Sequence, residues 1–330
     1  MGVKRLKCNL IKKSYSKFPK KIKIIGIDIL LYIYKYLYSD SEEPLYNLFN
    51  MISKFLIAGI IPLFVFDGKP IHEKNNELQE RKNKRILIKN KLSKIKQKIT
   101  LNPDDKDLKL KYSKLLKKYT TIDNSIIDSC KKLMEIMKVP YITANTEADF
   151  ACCRLYLDGI IQGCLTEDMD FLLLGCVRNF HFSNGKIIEY NLDETLTSLN
   201  ITFSQFQDYC LLLGCDYIKK FLIEDNDTIL KKLKQNKSIR KWMKKCQDKN
   251  LKAYLNNCSN IKYVLNKTLD NESLIIPTNK LIFNQDIINK SELNNFFSSN
   301  IKTNSFKYHL TNTFDEILQN INAFKYLSSF

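Results

Sequence analysis

The chain has 330 residues, and 44% of them are hydrophobic, which is enough for a folded core and excludes an intrinsically disordered protein. Its 53 Lys and Arg against 35 Asp and Glu leave a formal net charge of +18. Phosphates bind Lys and Arg with release of counterions, so this charge favours a polyanionic partner. It does not distinguish DNA from RNA or from an anionic membrane.

The ten cysteines show no paired CxxC spacing, and most lie in apolar runs. We interpret them as reduced core thiols of an intracellular protein. The three histidines are widely separated, so a histidine-based metal site is not expected. No signal peptide is evident at the start of the chain. The apolar stretch over 48–66 does not predict a membrane helix, because Gly59 and Pro62 divide it into a helix and a strand.

The first 68 residues alternate between strand and helix patterns. The predicted elements are a strand over 21–27, a helix over 28–38, a helix over 45–58 and a strand over 60–66. Gly59 suits the end of the second helix. Each predicted strand is followed directly by an aspartate, Asp28 and Asp67.

A basic stretch over 69–118 comes next. It holds 17 Lys and Arg against 6 Asp and Glu, so 11 of the 18 net positive charges lie in 50 residues. Ile and Leu recur at helical spacing, and the Asn-Pro-Asp sequence at 102–104 predicts a break between two helices. Two interpretations stay open: a solvated helical hairpin, or a protruding element that binds phosphates.

The second half returns to alternation. The predicted elements are a helix over 125–137, a strand over 139–142, a helix that Thr146 caps and that ends at Leu157, a strand over 159–165, and a helix over 203–213. Strands that alternate with helices predict an α/β fold with a parallel sheet and right-handed crossovers. Beyond Tyr217 the chain is Asn- and Lys-rich and predicted to be helical.

Acidic residues follow the predicted strands. Asp28, Asp67 and Asp168 each come just after an apolar strand, and the carboxyl ends of parallel strands converge on one crevice. Asp170 follows Asp168 by two residues, and three further acids lie near predicted helix ends: Glu147, Asp149 and Asp216. A lone aspartate after a strand is usually a turn or helix cap, but this coincidence predicts a shared acidic site.

So many carboxylates repel one another unless a cation compensates them. Mg²⁺ prefers oxygen ligands and keeps several waters, which suits a pocket rich in carboxylates and poor in histidine. Two such ions, roughly 4 Å apart, can activate a water and stabilise the leaving oxygen of a phosphodiester. A basic chain with an acidic crevice therefore predicts phosphodiester hydrolysis.

Six stretches, in order and with matching rough spacing, make residues 1 to about 220 resemble the flap endonuclease family, the structure-specific 5′ nucleases of the xeroderma pigmentosum G type. They are Met1-Gly2-Val3-Lys4, Ile27-Asp28, Val65-Phe66-Asp67-Gly68-Lys69-Pro70, Thr146-Glu147-Ala148-Asp149, Thr166-Glu167-Asp168-Met169-Asp170 and Leu211-Leu212-Leu213-Gly214-Cys215-Asp216-Tyr217.

The resemblance implies roles for these acids. It implies two Mg²⁺ ions, for which Mn²⁺ can substitute, held by Asp28, Asp67, Glu147, Asp149, Asp168, Asp170 and Asp216. Asp67 and Asp168 then belong to the catalytic centre, together with Lys74 and Arg81. These two cations would steer the scissile phosphate and stabilise charge in the transition state. Their seven-residue spacing is two helical turns, so both can face the crevice.

The resemblance also implies contacts to the substrate. The expected contact residues are Gly2, Tyr34, Lys84, Arg85, Lys89, Lys91, Lys219 and Lys220. Tyr34 matches a tyrosine on which a substrate base stacks, a contact that tolerates any base. Packing of Tyr34 in the core is the alternative.

The implied architecture is a central parallel, PIN-like sheet with flanking helices. Four segments are expected: an N-terminal nuclease region over 1–85, a basic helical cap over 86–124, a second nuclease region over 125–220 that completes the same domain, and a helical extension over 221–330.

The chain departs from the family pattern in four places. Asp149 replaces a glutamate, the segment from Asp28 to Asp67 is short, and the turn after Tyr217 lacks the glycines that grip duplex phosphates. Lys219 and Lys220 could supply simple charges there. At the C-terminus, Asn322 stands where a sliding-clamp peptide needs an aliphatic anchor.

The resemblance implies a 5′ flap endonuclease with 5′–3′ exonuclease activity on branched or flapped DNA, in replication and repair. A pure 5′–3′ exonuclease or a junction resolvase is the alternative within the superfamily. Two other classes stay open: a non-catalytic nucleic-acid-binding protein with this fold, and a membrane-surface protein. We expect a monomer without a membrane partner, located inside the cell, in the nucleus or at a cytoplasmic replication site if the source is viral.

Overall fold

A computed structural model describes residues 3, 6–38, 44–119, 121–274, 288–300, 319 and 321. Its strands are β1 Lys12–Tyr15, β2 Ile24–Asp28, β3 Ile61–Phe66, β4 Tyr141–Thr143, β5 Cys164–Leu165, β6 Arg178–Ser183 and β7 Lys186–Asn191. The helices are α1 Ile29–Tyr38, α2 Pro44–Ile57, α3 Asn75–Leu101, α4 Lys106–Tyr119, α5 Asn124–Ile136, α6 Ala148–Leu157, α7 Asp170–Leu173, α8 Leu192–Leu199, α9 Phe203–Leu213, α10 Asn226–Asn236, α11 Ile239–Lys245, α12 Lys249–Asn271 and α13 Lys290–Asn300. Short 3₁₀ turns cover Leu6–Asn9 and His72–Lys74.

The chain divides into two compact units. The first comprises Met1–Asp28, Ile60–Lys74 and Pro140–Leu281, and the second Ile29–Gly59, Asn75–Val139 and Ile282–Phe330. The whole sheet and helices α6 to α12 belong to the first unit, and α1 to α5 and α13 to the second. The expected division into four segments stays a prediction.

The sheet has seven strands in the order β1-β7-β6-β5-β2-β3-β4. Strands β6, β5, β2, β3 and β4 are parallel, which confirms the predicted parallel α/β centre. Strands β7 and β1 extend it with antiparallel pairs that the sequence interpretation did not include. The sheet is therefore mixed, with a parallel half that ends at β4.

Strand β3 shows why the centre is buried. All six of its residues are buried, as a parallel strand covered on both faces requires. Helix α6 packs against β2 and β3 and contributes Phe150, Cys152 and Cys153 to the core of the first unit. Eight of the nine described cysteines are buried, which confirms their predicted place in the core for this part of the chain, and all nine are unpaired.

The hairpin β6–β7 turns at Asn184 and Gly185, which both have positive φ, 48° and 72°. Two successive residues with positive φ form the tight turn whose twist matches that of antiparallel strands, and Asn-Gly is its favoured sequence. The Asn-Gly sequence therefore indicated the hairpin β6–β7, which the sequence interpretation missed.

The described residues of the second unit form helices α1 to α5 and α13. Helix α2 packs against α1 and α5, and Phe49 meets Phe297 of α13 edge to face, with ring centroids 5.7 Å apart. Helices α3 and α4 form the predicted basic hairpin and pack along each other, with the break after Leu101. Gly59, at φ 71°, ends α2 as expected.

Two local predictions were wrong. The strand predicted over 159–165 is only Cys164–Leu165 (β5), because Gly159, at φ 73°, follows the end of α6 and the chain turns before it reaches the sheet. Thr146 does not cap α6. Glu147 occupies the N-cap position without a side-chain capping bond, and the Thr146 hydroxyl donates instead to Glu272.

No helix among the described residues is long and apolar enough to cross a bilayer.

Candidate active site

The acidic site is built on the parallel half of the sheet. Strands β5, β2, β3 and β4 are parallel neighbours, so their carboxyl ends lie at one edge. Four strand ends deliver acids there. Asp28 ends β2, Asp67 follows β3, Asp168 and Asp170 follow β5, and Glu147 and Asp149 follow β4. Asp216 comes from the turn after α9. All seven acids belong to the first unit.

Hydrogen bonds join the two loops that carry Asp67 and Glu147. The Ala148 N–H donates to Asp67 Oδ1 at 2.7 Å, and the Gly68 N–H donates to the Thr146 carbonyl at 2.7 Å. A Cβ at Gly68 would stand 2.1 Å from the Ala144 carbonyl oxygen, so only glycine allows this approach. The positions of Asp67 and Glu147 therefore depend on each other.

The acids are graded in exposure. Glu147, Asp149 and Asp170 are buried, with 5%, 8% and 1% of their surface exposed. Asp28, Asp168 and Asp216 are half-buried, and Asp67 is exposed. The site therefore has a dry floor and an open side at Asp67, as a crevice that admits a ligand requires.

Electrostatic coupling shows that the acids form one network. Burial raises the pKa of Asp149 well above its usual range, and the charges of Glu147, Asp168 and Asp67 raise it further. Burial also raises the pKa of Asp170 well above the ordinary value, as do the charges of Asp168, Asp216 and Asp149.

The pKa values of Glu147 and Asp168 are raised for the same reason. Burial dominates in both, with added repulsion from Asp67 on Glu147 and from Asp216 on Asp168. Asp28 lies near the same buried thiol as Asp149: burial raises the pKa of Cys152, and the charges of Asp28 and Asp149 raise it further.

Lys74 is a cation of this network. Its ammonium pairs with Glu147, and its side chain is only 14% exposed. Burial alone would lower the pKa of Lys74, but the charges of Asp149, Glu147 and Asp216 outweigh burial and raise it above the ordinary value. Lys74 therefore stays positive throughout the physiological range, and the structure brings it to the acids as the sequence predicted.

Tyr217 is a site residue that the sequence interpretation missed, since it was noted as part of a motif but given no role. The Tyr217 hydroxyl donates to Asp149 Oδ2 at 3.2 Å, and the Lys74 ammonium lies 5.7 Å from the centroid of its ring. The buried Tyr217 therefore fixes the Asp149 carboxylate through a hydrogen bond. A buried aromatic next to Asp216 was the available signal.

The donor set fits a hard cation. Glu147 Oε1 and Asp170 Oδ1 are buried and have no hydrogen-bond partner among the described residues. Unpaired buried carboxylate oxygens are costly unless a cation compensates them. Within the same residues, no three acidic, histidine or cysteine side chains are arranged to hold an ion directly. Oxygen donors of this kind are the ligands that Mg²⁺ prefers.

Other predicted residues lie in the second unit. Arg81, in α3, pairs with Glu77 one turn earlier. Tyr34, in α1, is half-buried, stacks on Tyr38 with centroids 6.2 Å apart, and accepts a hydrogen bond from Arg85 at 3.2 Å. Three further cations of α3 are exposed: Lys84, Lys89 and Lys91. Arg85 therefore contacts Tyr34 within the second unit. Within the first unit, the predicted catalytic residue Lys74 lies beside the acids.

The remaining predicted residues differ in position. Lys219 is exposed, whereas the Lys220 ammonium donates to the Glu224 carbonyl at 2.7 Å. Gly2 and Asn322 lie outside the described residues.

Helix α11 carries a basic face that the sequence interpretation overlooked. Ile239 and Trp242 are buried, and the exposed residues at helical spacing on the other side are Arg240, Lys241, Lys244 and Lys245. No ion pair of these four is formed within the described residues. The helix begins where the Ile239 N–H donates to the buried Asp208 at 3.1 Å. The cations alternated with Ile, Trp and Met in the sequence, which was the missed signal.

The fold and the acid-lined edge define a protein of the PIN-like α/β class. Two family models match the chain: the XPG N-terminal domain over residues 1–88 and the XPG I-region over 138–216. Flap endonuclease 1-B of Physcomitrium patens is 32% identical over 249 residues, 69% of this chain and 68% of that protein. The chain belongs to the XPG family of flap endonucleases.

Other relatives agree. Flap endonuclease 1 of Entamoeba histolytica is 31% identical over 247 residues, 69% of this chain, and the match spans 64% of the relative's length. Among solved structures, flap endonuclease-1 from Methanococcus jannaschii superposes with a TM-score of 0.63 at 19% identity and covers 97% of this chain and 98% of that one. The catalytic core of Rad2 in complex with a DNA substrate gives 0.64 at 16% identity, covering 96% and 97%. These structural likenesses establish the fold.

Proposed function

We propose that the chain is a divalent-metal-dependent nuclease that hydrolyses DNA phosphodiesters at branched or flapped ends, as a 5′ flap endonuclease with 5′–3′ exonuclease activity. The observation that carries the proposal is the acidic edge. Acids from four neighbouring strand ends form one electrostatic network, and two of its buried oxygens lack a partner within the described chain. The named flap endonuclease relatives support the substrate.

The acids would hold two Mg²⁺ ions, or Mn²⁺ in their place. The proposed ligands are Asp28, Asp67, Glu147, Asp149, Asp168, Asp170 and Asp216. Bound ions supply an activated water and stabilise the leaving oxygen. The chain's own contribution is to fix and desolvate the carboxylates. Burial of Glu147, Asp149 and Asp170 keeps bulk water from screening their charge.

Lys74 would stabilise the scissile phosphate. Its ammonium remains charged because the surrounding carboxylates raise its pKa. A cation held in a partly dry site stabilises the developing negative charge of a phosphoryl transition state more strongly than one in water. Arg81, which pairs with Glu77 in the structure, is proposed for the same task.

Exposed basic surfaces would bind the DNA backbone without regard to sequence. On α3 these are the exposed Lys84, Lys89 and Lys91, with Arg85 held beside Tyr34. Tyr34 offers a face for base stacking. In the first unit, Lys219, Lys220 and the basic face of α11 would contact duplex phosphates.

Three further predictions accompany the proposal. The protein acts as a monomer. It acts inside the cell, in the nucleus or at a cytoplasmic replication site. A sliding clamp is not expected as a partner, because Asn322 breaks the peptide pattern.

A panel of matched DNAs tests the activity. The purified chain is incubated with 5′-flap, nicked and four-way-junction DNA of one sequence, in Mg²⁺ or in EDTA. We expect cutting of the flap substrate in Mg²⁺ only. Cutting of junctions alone would favour a resolvase, and stepwise release of nucleotides from nicked ends alone a pure exonuclease.

The variant Asp67→Ala separates catalysis from binding. The exposed Asp67 carboxylate can be removed with little cost to the core, so we expect loss of Mg²⁺-dependent cleavage with DNA binding retained. A wild-type chain that binds every DNA and cuts none would establish the non-catalytic alternative. Residual cleavage equal to that of the wild type would mean a contaminating nuclease.

A further inference from the structure

The short segment 144–147, between β4 and α6, is fixed from one side by the loop after β3. The Ala144 N–H donates to the Phe66 carbonyl at 2.9 Å, the Gly68 N–H to the Thr146 carbonyl at 2.7 Å, and the Lys69 N–H to the Asn145 carbonyl at 3.3 Å. This pairing uses backbone groups only. It leaves the Asn145 N–H and the Thr146 hydroxyl facing away from the β3 loop.

The other side of this segment is held by Glu272. Its Oε1 accepts the Asn145 N–H at 2.8 Å, and its Oε2 accepts the Thr146 hydroxyl at 2.8 Å. The Asn145 side-chain amide donates to the adjacent Ser273 carbonyl at 2.6 Å. Both carboxylate oxygens of Glu272 are thus committed to one loop, 126 residues away in the chain.

Glu272 is itself held rigidly. It is 4% exposed and stands at the C-cap of the 23-residue helix α12. Helix α12 packs against α6 and α9 through a buried stripe that ends at Leu269. No cation pairs with Glu272 within the described residues. A buried carboxylate without a cation is costly, so its two hydrogen bonds must be satisfied for the fold to keep it.

From these contacts we propose that Glu272 is a positioning residue for the acidic edge. Glu272 fixes Asn145 and Thr146, and this also fixes the two residues that follow them. Glu147 contributes a carboxylate to the site, and the Ala148 N–H donates to Asp67. Glu272 thereby sets two acids at once without contacting a ligand. This inference rests on the proposed function, since it concerns the same acids.

The test compares cation binding with cleavage. Wild type, Glu272→Ala, Glu272→Gln and Thr146→Val are titrated with Ca²⁺ by calorimetry without DNA, and their cleavage of a flap substrate is measured against Mg²⁺ concentration. Loss of residues that orient metal ligands typically weakens metal affinity 10- to 100-fold, and we expect about that for Glu272→Ala in both measurements. Glu272→Gln keeps one acceptor and should lie between. Thr146→Val removes one bond and should weaken affinity a few-fold.

Glu189→Gln is the matched control. Glu189 is likewise buried, at 1% exposed, but it accepts hydrogen bonds from Arg178 in the hairpin β6–β7. We expect it to lower the melting temperature and leave Ca²⁺ affinity unchanged. Equal losses of affinity in Glu189→Gln and Glu272→Ala would make Glu272 merely structural and overturn the proposal.

The remaining outcomes are distinct. If Glu272→Ala does not fold, Thr146→Val decides, and unchanged Ca²⁺ affinity in that variant overturns the proposal. If the wild type binds cations and cleaves DNA while Glu272→Ala matches it, only the positioning role fails. If the wild type neither binds cations nor cleaves, the proposed function fails first and the positioning role with it.

Discussion

The acidic edge of the sheet and the basic hairpin α3–α4 differ in how they hold their charge. The acids are fixed by specific hydrogen bonds to loops and to Tyr217, and three of them are buried. The hairpin exposes nearly all its cations, and Leu92 is the one buried residue described in α3. A buried charge that hydrogen bonds hold in place binds a ligand in one geometry, whereas exposed charges can bind a polyanion in many geometries. Single substitutions should therefore matter in the first region and only combined ones in the second.

The strongest test of this contrast is Asp170→Asn. Loss of a cation ligand removes several kcal/mol of transition-state stabilisation. At 1.36 kcal/mol per factor of ten, we expect a single-turnover rate lower by about 10³-fold on a flap substrate. Asp158→Asn, which changes an exposed acid paired with Arg154, should stay near the wild-type rate. A modest loss in Asp170→Asn would show that this edge tolerates change as the hairpin does.

The same variant has an opposite effect on stability without metal. The raised pKa of Asp170 means that the folded chain retains a proton that the unfolded chain loses near pH 4. The contribution of Asp170 to stability therefore falls as pH rises from about 4 through the folded pKa. In EDTA at pH 8, the melting temperature of Asp170→Asn should be higher than that of the wild type. This difference in melting temperature should become smaller as the pH falls toward 5. A gap that does not depend on pH would contradict the raised pKa.

Next in size is Lys74→Met. It removes the cation that compensates Glu147 and the charge proposed to meet the phosphate. We expect a rate lower by roughly 10²- to 10³-fold with flap binding retained. Lys74→Arg keeps the charge with a different geometry and should recover part of the rate. Lys69→Met changes an exposed lysine nearby in the chain and serves as control, and a rate in Lys74→Met equal to that of Lys69→Met would exclude a catalytic role.

The hairpin should respond only to combined changes. Replacing four cations of α3 with glutamine, at Lys84, Arg85, Lys89 and Lys91, should weaken binding of single-stranded DNA. It should also weaken the salt dependence of binding: the magnitude of the slope of log affinity against log salt concentration should fall by about 3, at roughly 0.7 per lost phosphate contact. The control carries the same charge change on four exposed lysines of the first unit, Lys17, Lys20, Lys21 and Lys23. Equal slopes in the two variants would mean that the hairpin is only a solvated surface.

The smallest expected effect is that of Tyr217→Phe. The ring that faces Lys74 stays, and only the hydrogen bond to Asp149 is lost. Such a bond to a charged group contributes about 1.5 kcal/mol, so we expect roughly a tenfold rise in the Mg²⁺ concentration for half-maximal cleavage. Tyr254→Phe, which removes a buried hydroxyl bonded to the Leu211 carbonyl, is the matched control. No difference between the two would mean that Asp149 does not need this contact.

The sequence was informative wherever a local pattern is tied to geometry. Apolar runs that end in Asp28 and Asp67 predicted buried strands, and parallel strands place their ends at one edge, so the acids could be grouped before any coordinates. The basic hairpin and its break near Pro103 were likewise readable. Strand β1 was not, because its residues are mostly exposed and show no apolar alternation. The turn at Asn184 and Gly185 carried a signal that was overlooked.

Within the site, the missing part lies in contacts that no local pattern encodes. Thr146 had the sequence of a helix cap, yet its hydroxyl binds Glu272, which no motif marks and which lies 126 residues away. Tyr217 was part of a recognised motif, but its contact with Asp149 depends on how α9 packs. Long-range partners of this kind follow from tertiary packing, which no local sequence pattern specifies.

Trp242 is the only tryptophan of the chain and is 8% exposed beneath the basic face of α11. Excitation at wavelengths that tyrosine does not absorb will therefore report on that single helix. A DNA duplex that docks on the lysines around it would change the emission of an indole that is otherwise shielded. The chain thus contains an intrinsic optical probe of one binding surface, which can be read without labelling and apart from cleavage.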